Sequence, residues 1–485
     1  MQPLAILICL YIDGVKLMNE VPVFALIGHP NEGKSSVVST LTEDDRVPIS
    51  VSPGETRECT NYAIVVDNLT LLRFVDTPGF QMPIQTLNWM KKYNGPSEKI
   101  VEEFINAHQD DPSFADDCEL LRPVADNAGI IYVVDGSRPL RSNDEAEMEI
   151  LRLSGRPRMA VLNPKEAGTE FLQQWKSAFA KTFNVSFIFN AHKATFRERI
   201  DLLQALQPIE QEWKPAITKA VEALRENWND RLESCADAIL SLLDNALTLT
   251  LSNTSPKDDP EIIEKLREEL KASFLQKVSR LERQCQRELK SKFLHNVFDA
   301  DLAAQSIVSE DLYSKETWKV LGATQKQLII GSTIAGAVSG GGLDLFFANL
   351  TFGFFSLGGA LIGGVGGWRG TRPLARLKMK IGPLAKELGG YNITVGPIRN
   401  PQLMFVLLDR ALIYFNCVSN WAHARREEVA ISDLDGKKGF VASWTRDKRK
   451  CFEKYLTYLI DNKQDEIDRL RPELRKILVQ AMRNE

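Results

Sequence analysis

The stretch VPVFALIGHPNEGKSSVVSTL, Val21 to Leu41, decides how this chain is read. An apolar run short enough for a buried strand ends at Ile27. Gly28, four residues, then Gly33, Lys34 and Ser35 follow it, ahead of a helix start. Glycines at those places let the backbone wrap closely around an anion, and the N–H groups that open the next helix face it. In this pattern a lysine reaches the outer phosphates of a nucleotide and the serine hydroxyl can ligate Mg²⁺. The spacing predicts a phosphate-binding loop in which Gly28, Asn31, Glu32, Gly33, Lys34, Ser35 and Ser36 hold the nucleotide, with Lys34 acting in catalysis.

Two partner motifs lie downstream in the order that phosphoryl transfer requires. DTPG, Asp76 to Gly79, follows the strand-like LLRFV. There Asp76 can hold Mg²⁺ through water, and the Gly79 N–H can sense the terminal phosphate. Between the loop and DTPG, SPGETRE carries Thr56. Its hydroxyl completes the metal shell only while that phosphate is present, which makes the segment an order–disorder switch. The expected metal set is therefore Ser35, Thr56 and Asp76.

From residue 20 to about 205, strand-like runs (PVFALIG, NYAIVV, LTLLRFVD, AGIIYVVDG, RMAVLN, VSFIFNA) alternate with helical stretches. That rhythm predicts an α/β domain with a mainly parallel sheet and its ligand loops at the carboxyl ends of the strands. Residues 1–19 form an N-terminal extension. Its LAILICLYI resembles a signal core, but no basic residue precedes it and no small-x-small cleavage site follows, and Met18 is read as the working start.

After residue 205 the strand signal disappears. Trp213, Ile217, Val221, Leu224, Trp228, Cys235, Ile239 and Leu242 recur at helical spacing. SNTSPKDDP then breaks the run, with Asp259 and Pro260 suited to an N-cap and first helical position. Ile263, Leu266, Leu270, Phe274, Leu281, Cys285, Leu289 and Phe293 mark a second helix face, so 206–327 reads as a long helical hairpin. Residues 328–368 are Gly-rich and apolar with Asp344 as their one charge, and a basic run from Arg369 to Lys380 follows. This is either a helical hairpin in lipid, its small residues in close contact, or a buried helical pair. Residues 369–485 read as helical again.

A net charge of −4 with mixed signs argues against a general nucleic-acid binder, and no direct nucleic-acid signature is present. Seven cysteines without a CxxC pair and five histidines without ligand spacing point to a reduced, cytosolic setting.

The motifs together resemble GTPases of the Era and TrmE branch, whose loop reads G-x-P-N-x-G-K-S and whose first switch carries P-G-T-T-R. The resemblance covers residues 20–205. It implies GTP hydrolysis to GDP and phosphate, with Mg²⁺, and gives Asn31 the role of helping to bind K⁺ beside the phosphates. Such a cation spreads positive charge over the transition state. It also implies that Asn163 and Glu166, in NPKE, and the backbone around Ala191, in NAHK, recognise guanine. Glu55 replaces a threonine of the switch, Pro164 stands at the lysine place of N-K-x-D and Glu166 at its aspartate. Phe80 occupies the position of a water-orienting glutamine, which implies slow turnover. The whole chain, with its insert from Phe80 to about Pro123, also resembles a bacterial family of GTPase-like proteins with an uncharacterised helical C-terminal domain.

The resulting expectation is an α/β P-loop GTPase domain followed by a mostly α-helical region. The chain is expected to be a membrane-associated switch in the cytoplasm, or on the cytoplasmic face of the inner membrane, with membrane lipid as a partner and a homodimer through the GTPase domain. Two other readings remain open: a ribosome- or RNA-associated factor, and a membrane-shaping protein that uses nucleotide to oligomerise.

Overall fold

The structure is a computed structural model that describes residues 21–49, 56–165, 170–255, 259–293, 355–357, 391–424 and 439–483. The chain divides into two units, the first running to Asp230 and including residues 419–427, the second holding the rest of the helical part.

The first unit is built on a six-stranded sheet of order β2-β3-β1-β4-β5-β6. Its strands are β1 (Val23–Ile27), β2 (Thr60–Val66), β3 (Leu69–Asp76), β4 (Gly129–Val134), β5 (Arg158–Leu162) and β6 (Val185–Ile188). Only β2 is antiparallel to its neighbour; the other pairs are parallel. Strands covered on both faces need apolar side chains in both directions, and every residue of β4 is buried. The register sets Leu26 beside Asp76 and Ile27 beside Tyr132. The loops that leave β1, β3, β4 and β5 therefore emerge along one edge of the sheet.

Helices α1 (Lys34–Thr42) and α7 (Phe196–Ala205) supply one buried cluster with β1 and β3. The start of α8 (Lys214–Leu247) joins it through Ile217, Val221 and Leu224. Trp213 meets Phe24 edge-on at 5.2 Å, and a Cβ on Gly129 would lie 2.5 Å from the indole. These contacts carry the first unit past residue 205, where the strand signal ends.

The opposite face is covered by α2 (Pro83–Lys92), α3 (Ile100–His108), α4 (Ala115–Ala125), α5 (Ser142–Leu153) and α6 (Leu172–Phe179). The insert after DTPG forms α2 to α4 and shares this core: Met90, Phe104 and Leu121 pack in one cluster with Ile27, Tyr132 and Val134.

The second unit contains the end of α8, then β7 (Leu251–Ser255), α9 (Pro260–Ser291), β8 (Phe355–Leu357), β9 (Tyr391–Val395), α10 (Pro401–Ser419), α11 (Arg446–Ile460) and α12 (Gln464–Met482). As expected, Asp259 caps α9, its carboxylate accepting the Glu261 N–H at 3.0 Å with Pro260 as first helical residue. The buried stripe of α9 is Leu270, Phe274, Val278, Glu282, Cys285 and Leu289. The buried Glu282 is held by Arg410 of α10 at 2.7 Å.

The C-terminal part is mostly α-helical, as expected, but three short strands occur after residue 205, where the sequence carries no strand signal. The strands β7, β9 and β8 form an antiparallel sheet. They are only three to five residues long, and LSNTS is too polar to signal a strand; cross-strand pairing decides its conformation. Of the stretch 328–368, read as helical, only Phe355–Leu357 is described, and it is extended. The rest of that run, residues 1–20 and the basic run to Lys380 lie outside the described residues. Among the described residues, α10 is long and apolar enough to cross a membrane, and most of it is buried within its unit.

Candidate functional site

The loop between β1 and α1 is shaped by its glycines. Gly28 has φ +153° with the carbonyl of Val133 only 2.3 Å from where a Cβ would stand, and Gly33 has φ +91° against the Asn163 side chain. A larger residue at Gly28 would push the loop off the sheet. Asn31 also adopts a left-handed φ of 64° and is exposed. The Lys34 ammonium, buried at 7% exposure, donates to the carbonyls of Gly28 at 3.1 Å and His29 at 3.0 Å. Burial lowers its pKa, and the nearby Asp76 opposes that shift.

The three expected metal residues come together. The Ser35 hydroxyl donates to Asp76 Oδ2 at 2.7 Å, and Thr56 also bonds the Asp76 carboxylate. Burial raises the pKa of Asp76, while Ser35, Lys34 and Thr56 pull it down. Its other oxygen, Oδ1, is buried and has no hydrogen-bond partner. An unpaired buried carboxylate oxygen on a group that also bonds two hydroxyls is a hard-oxygen donor set, which fits Mg²⁺. Among the described residues no cluster of three His, Cys, Asp or Glu could hold a metal by itself, so the phosphates would have to complete such a shell.

DTPG is seated on the loop. A Cβ on Gly79 would stand 2.4 Å from the Pro30 nitrogen, and the Phe80 N–H donates to the Gly28 carbonyl at 3.3 Å. The Phe80 ring is fully buried, so the residue at the glutamine position points into the core and away from the phosphate loop.

The base-recognition residues are used partly within the protein. Asn163, 1% exposed, donates from Nδ2 to the Glu32 carbonyl at 3.1 Å and accepts the Ala191 N–H at 3.0 Å. The Ala191 N–H, in the backbone expected to meet guanine, is bonded to Asn163, which makes Asn163 a tie between loops. The Glu32 side chain is also engaged within the protein. Its carboxylate is buried, accepts the Asp135 N–H and the Arg138 guanidinium, and leaves only its backbone to the nucleotide. Ser36 is buried in α1. Glu166 and Glu55 lie outside the described residues.

Several contributing residues carry no motif signal. Lys165, one place past the motif's lysine position, donates from Nζ to the Asn31 carbonyl. Arg138 forks onto Asp144 with two contacts of 2.7 Å while also bonding Glu32. His29 bonds Glu147 at 3.0 Å, and the Tyr132 hydroxyl donates to the same carboxylate at 2.9 Å. The pairs Lys165–Asn31, Arg138–Glu32 and His29–Glu147 are each more than 100 residues apart in sequence, so only the fold could reveal them. The DGSRPL turn and the acidic start of α5 were the available hint.

A mostly parallel sheet with a phosphate loop after β1, a hydroxyl–carboxylate cluster at the end of β3 and an asparagine tie after β5 defines a P-loop GTPase domain of the Era and TrmE branch. Residues 23–164 match the family described as 50S ribosome-binding GTPase. Residues 176–480 match the family described as Domain of unknown function (DUF3482), and the chain belongs to that family.

GTPase Der from Syntrophotalea carbinolica is 31% identical over 141 residues, covering 29% of this chain and 26% of that protein. The tRNA modification GTPase MnmE from Heliobacterium modesticaldum is 27% identical over 150 residues, covering 31% of this chain and 26% of that protein. The chain thus spans about a quarter of the length of these two curated relatives. A solved structure of Era with MgGDPNP and a 16S ribosomal RNA segment is similar at 18% identity and a TM-score of 0.26, over 35% of this chain and 51% of that one.

Proposed function

We propose that this chain binds GTP and hydrolyses it to GDP and phosphate as a slow, Mg²⁺-dependent and K⁺-assisted switch. The observation that carries this reading is the Ser35–Asp76–Thr56 cluster beside the buried Lys34, with one Asp76 oxygen left bare. The N–H groups of the loop and the start of α1 bind the phosphates, and Lys34 places a positive charge against them. Bound Mg²⁺ neutralises charge on the phosphate oxygens. Asn31, exposed on the loop, is the residue toward K⁺. With Phe80 in the core, the attacking water is oriented by another group, which accounts for slow turnover. Phosphate release from GTP with and without EDTA tests the reading; equal release by wild type and Lys34→Ala would sink it.

Residues 328–368 support attachment to the cytoplasmic face of a membrane, with lipid as partner, and the nucleotide domain is the proposed dimer surface. Deleting 328–368 should move the protein from the membrane pellet to the soluble fraction with nucleotide binding intact. A second reading, an RNA-associated factor, rests on four cations of α9, Lys277, Arg280, Arg283 and Arg287, which together with Leu249, Leu281 and Gln284 line a largely apolar cavity of about 520 Å³. Four cations along one helix suit a phosphate backbone. Binding to ribosomal RNA that weakens steeply with salt and is lost in Arg280→Glu would favour this reading over the membrane one.

A further inference from the structure

The insert is fastened to the nucleotide site through two carboxylates on one turn of α4. Asp117 is fully buried, 0% exposed, and accepts the Gln81 N–H at 2.7 Å, the Met82 N–H at 3.3 Å and the Thr86 hydroxyl at 2.8 Å. Met82 is the residue that precedes α2, so the carboxylate also sits at the positive end of that helix. Two residues on, Glu119 accepts the Cys59 N–H at 3.0 Å, and its carbonyl receives the Cys59 thiol. Cys59 follows Thr56 by three residues, and Gln81 follows Gly79 by two. One helix turn therefore holds both chain segments that lead to the metal cluster.

We propose that Asp117 is a positioning residue of the nucleotide site, holding the segment after Gly79 against the phosphate loop so that the γ-phosphate meets a glycine N–H already in place. The inference rests on the reading of the site as a GTP site. A segment left free would have to be ordered by the nucleotide, at a cost in backbone entropy. Asp117 removes that cost in advance by holding the segment through the Gln81 and Met82 N–H groups and the Thr86 hydroxyl. Gly79 lies on Pro30 and Phe80 is bonded to Gly28. The benefit goes to GTP, since GDP carries no phosphate that reaches Gly79.

The test uses the full chain with fluorescent GDP and a fluorescent non-hydrolysable GTP analogue. Asp117→Ala leaves the two N–H groups and the Thr86 hydroxyl without their acceptor. It should weaken analogue binding about tenfold while GDP affinity stays within about twofold. Asp117→Asn keeps one accepting oxygen and should fall between. Thr86→Val, which removes a single bond, should shift the ratio the same way by less, and it decides the matter if Asp117→Ala fails to fold. Equal losses for GDP and analogue, or an unchanged ratio in the soluble variants, would mean that Asp117 only stabilises the fold. A wild-type protein that binds neither nucleotide would overturn the GTP reading instead.

Discussion

His29 and Glu147 form an ion pair across 118 residues of sequence, Nδ1 to Oε1 at 3.0 Å, with the carboxylate wholly buried beneath the phosphate loop. The hydrogen bond to Glu147 raises the pKa of His29, and burial raises that of Glu147. Both groups hold protons more tightly in the folded chain than in the unfolded one. Stability from the charged histidine is full below its unfolded pKa of about 6.5 and is lost as pH rises through the raised folded value. Thermal melts should show a lower Tm at pH 8.5 than at pH 6, with the slope reduced in Glu147→Gln. A variant with the full wild-type slope would remove this pair as the cause.

Lys34→Ala removes the loop's cation while the glycines remain. Nucleotide affinity should fall by about tenfold to a hundredfold, since a charge-assisted hydrogen bond is worth about 1.5–3 kcal/mol. Isothermal titration with GDP reads this directly.

For K⁺, hydrolysis in KCl should exceed that in NaCl at equal ionic strength by on the order of tenfold. Asn31→Ala should abolish the difference. A wild type indifferent to the cation would return Asn31 to the role of a loop residue with a left-handed backbone.

Asn163→Ala should do two kinds of damage, since it strips a partner from the buried Glu32 carbonyl and from the Ala191 N–H. A loss of about 1–3 kcal/mol is expected in denaturant melts, with weaker GTP binding. The companion measurement is competition by ATP, which should displace labelled GTP poorly.

In the second unit, Asp409 is buried and accepts the Val441 N–H at 2.9 Å; burial pushes its pKa up to about 7. The folded chain keeps this proton where the unfolded chain has lost it, so stability falls as pH rises from about 4 to about 7 and stays lower above that. Asp409→Asn should therefore raise Tm at pH 8, with little gain at pH 4. An equal effect at both values would contradict the assignment.

The nucleotide half was legible because its signals are local. Six apolar runs announce the sheet, and Gly28, Lys34, Ser35 and Asp76 lie in contiguous motifs whose spacing follows from phosphate chemistry. What could not be read depends on long-range pairing. The polar LSNTS becomes strand β7 only because Tyr391–Val395 lies beside it. Glu282 interrupts an apolar face of α9 and is buried because Arg410 meets it. Lys165 sits one place from where a motif lysine is sought, and Asp117 lies in an insert with no motif at all. Asn163 and Ala191 lie in two separate sequence motifs, and their bond to each other needed coordinates to be seen.

The shared core of Phe80, Met90, Phe104 and Leu121 with Ile27 and Tyr132 bears on how such a domain can change through descent. An accessory packed on its own could be trimmed helix by helix, each shortened version still soluble. Here every shortened version would uncover part of one face of the central sheet, at about 25 cal/mol per Å² of apolar surface. Residues 81–125 are therefore lost together with compensating changes in the sheet or not lost at all, and a graft of this insert onto another nucleotide domain would need β1 and β4 to be re-cut to receive it.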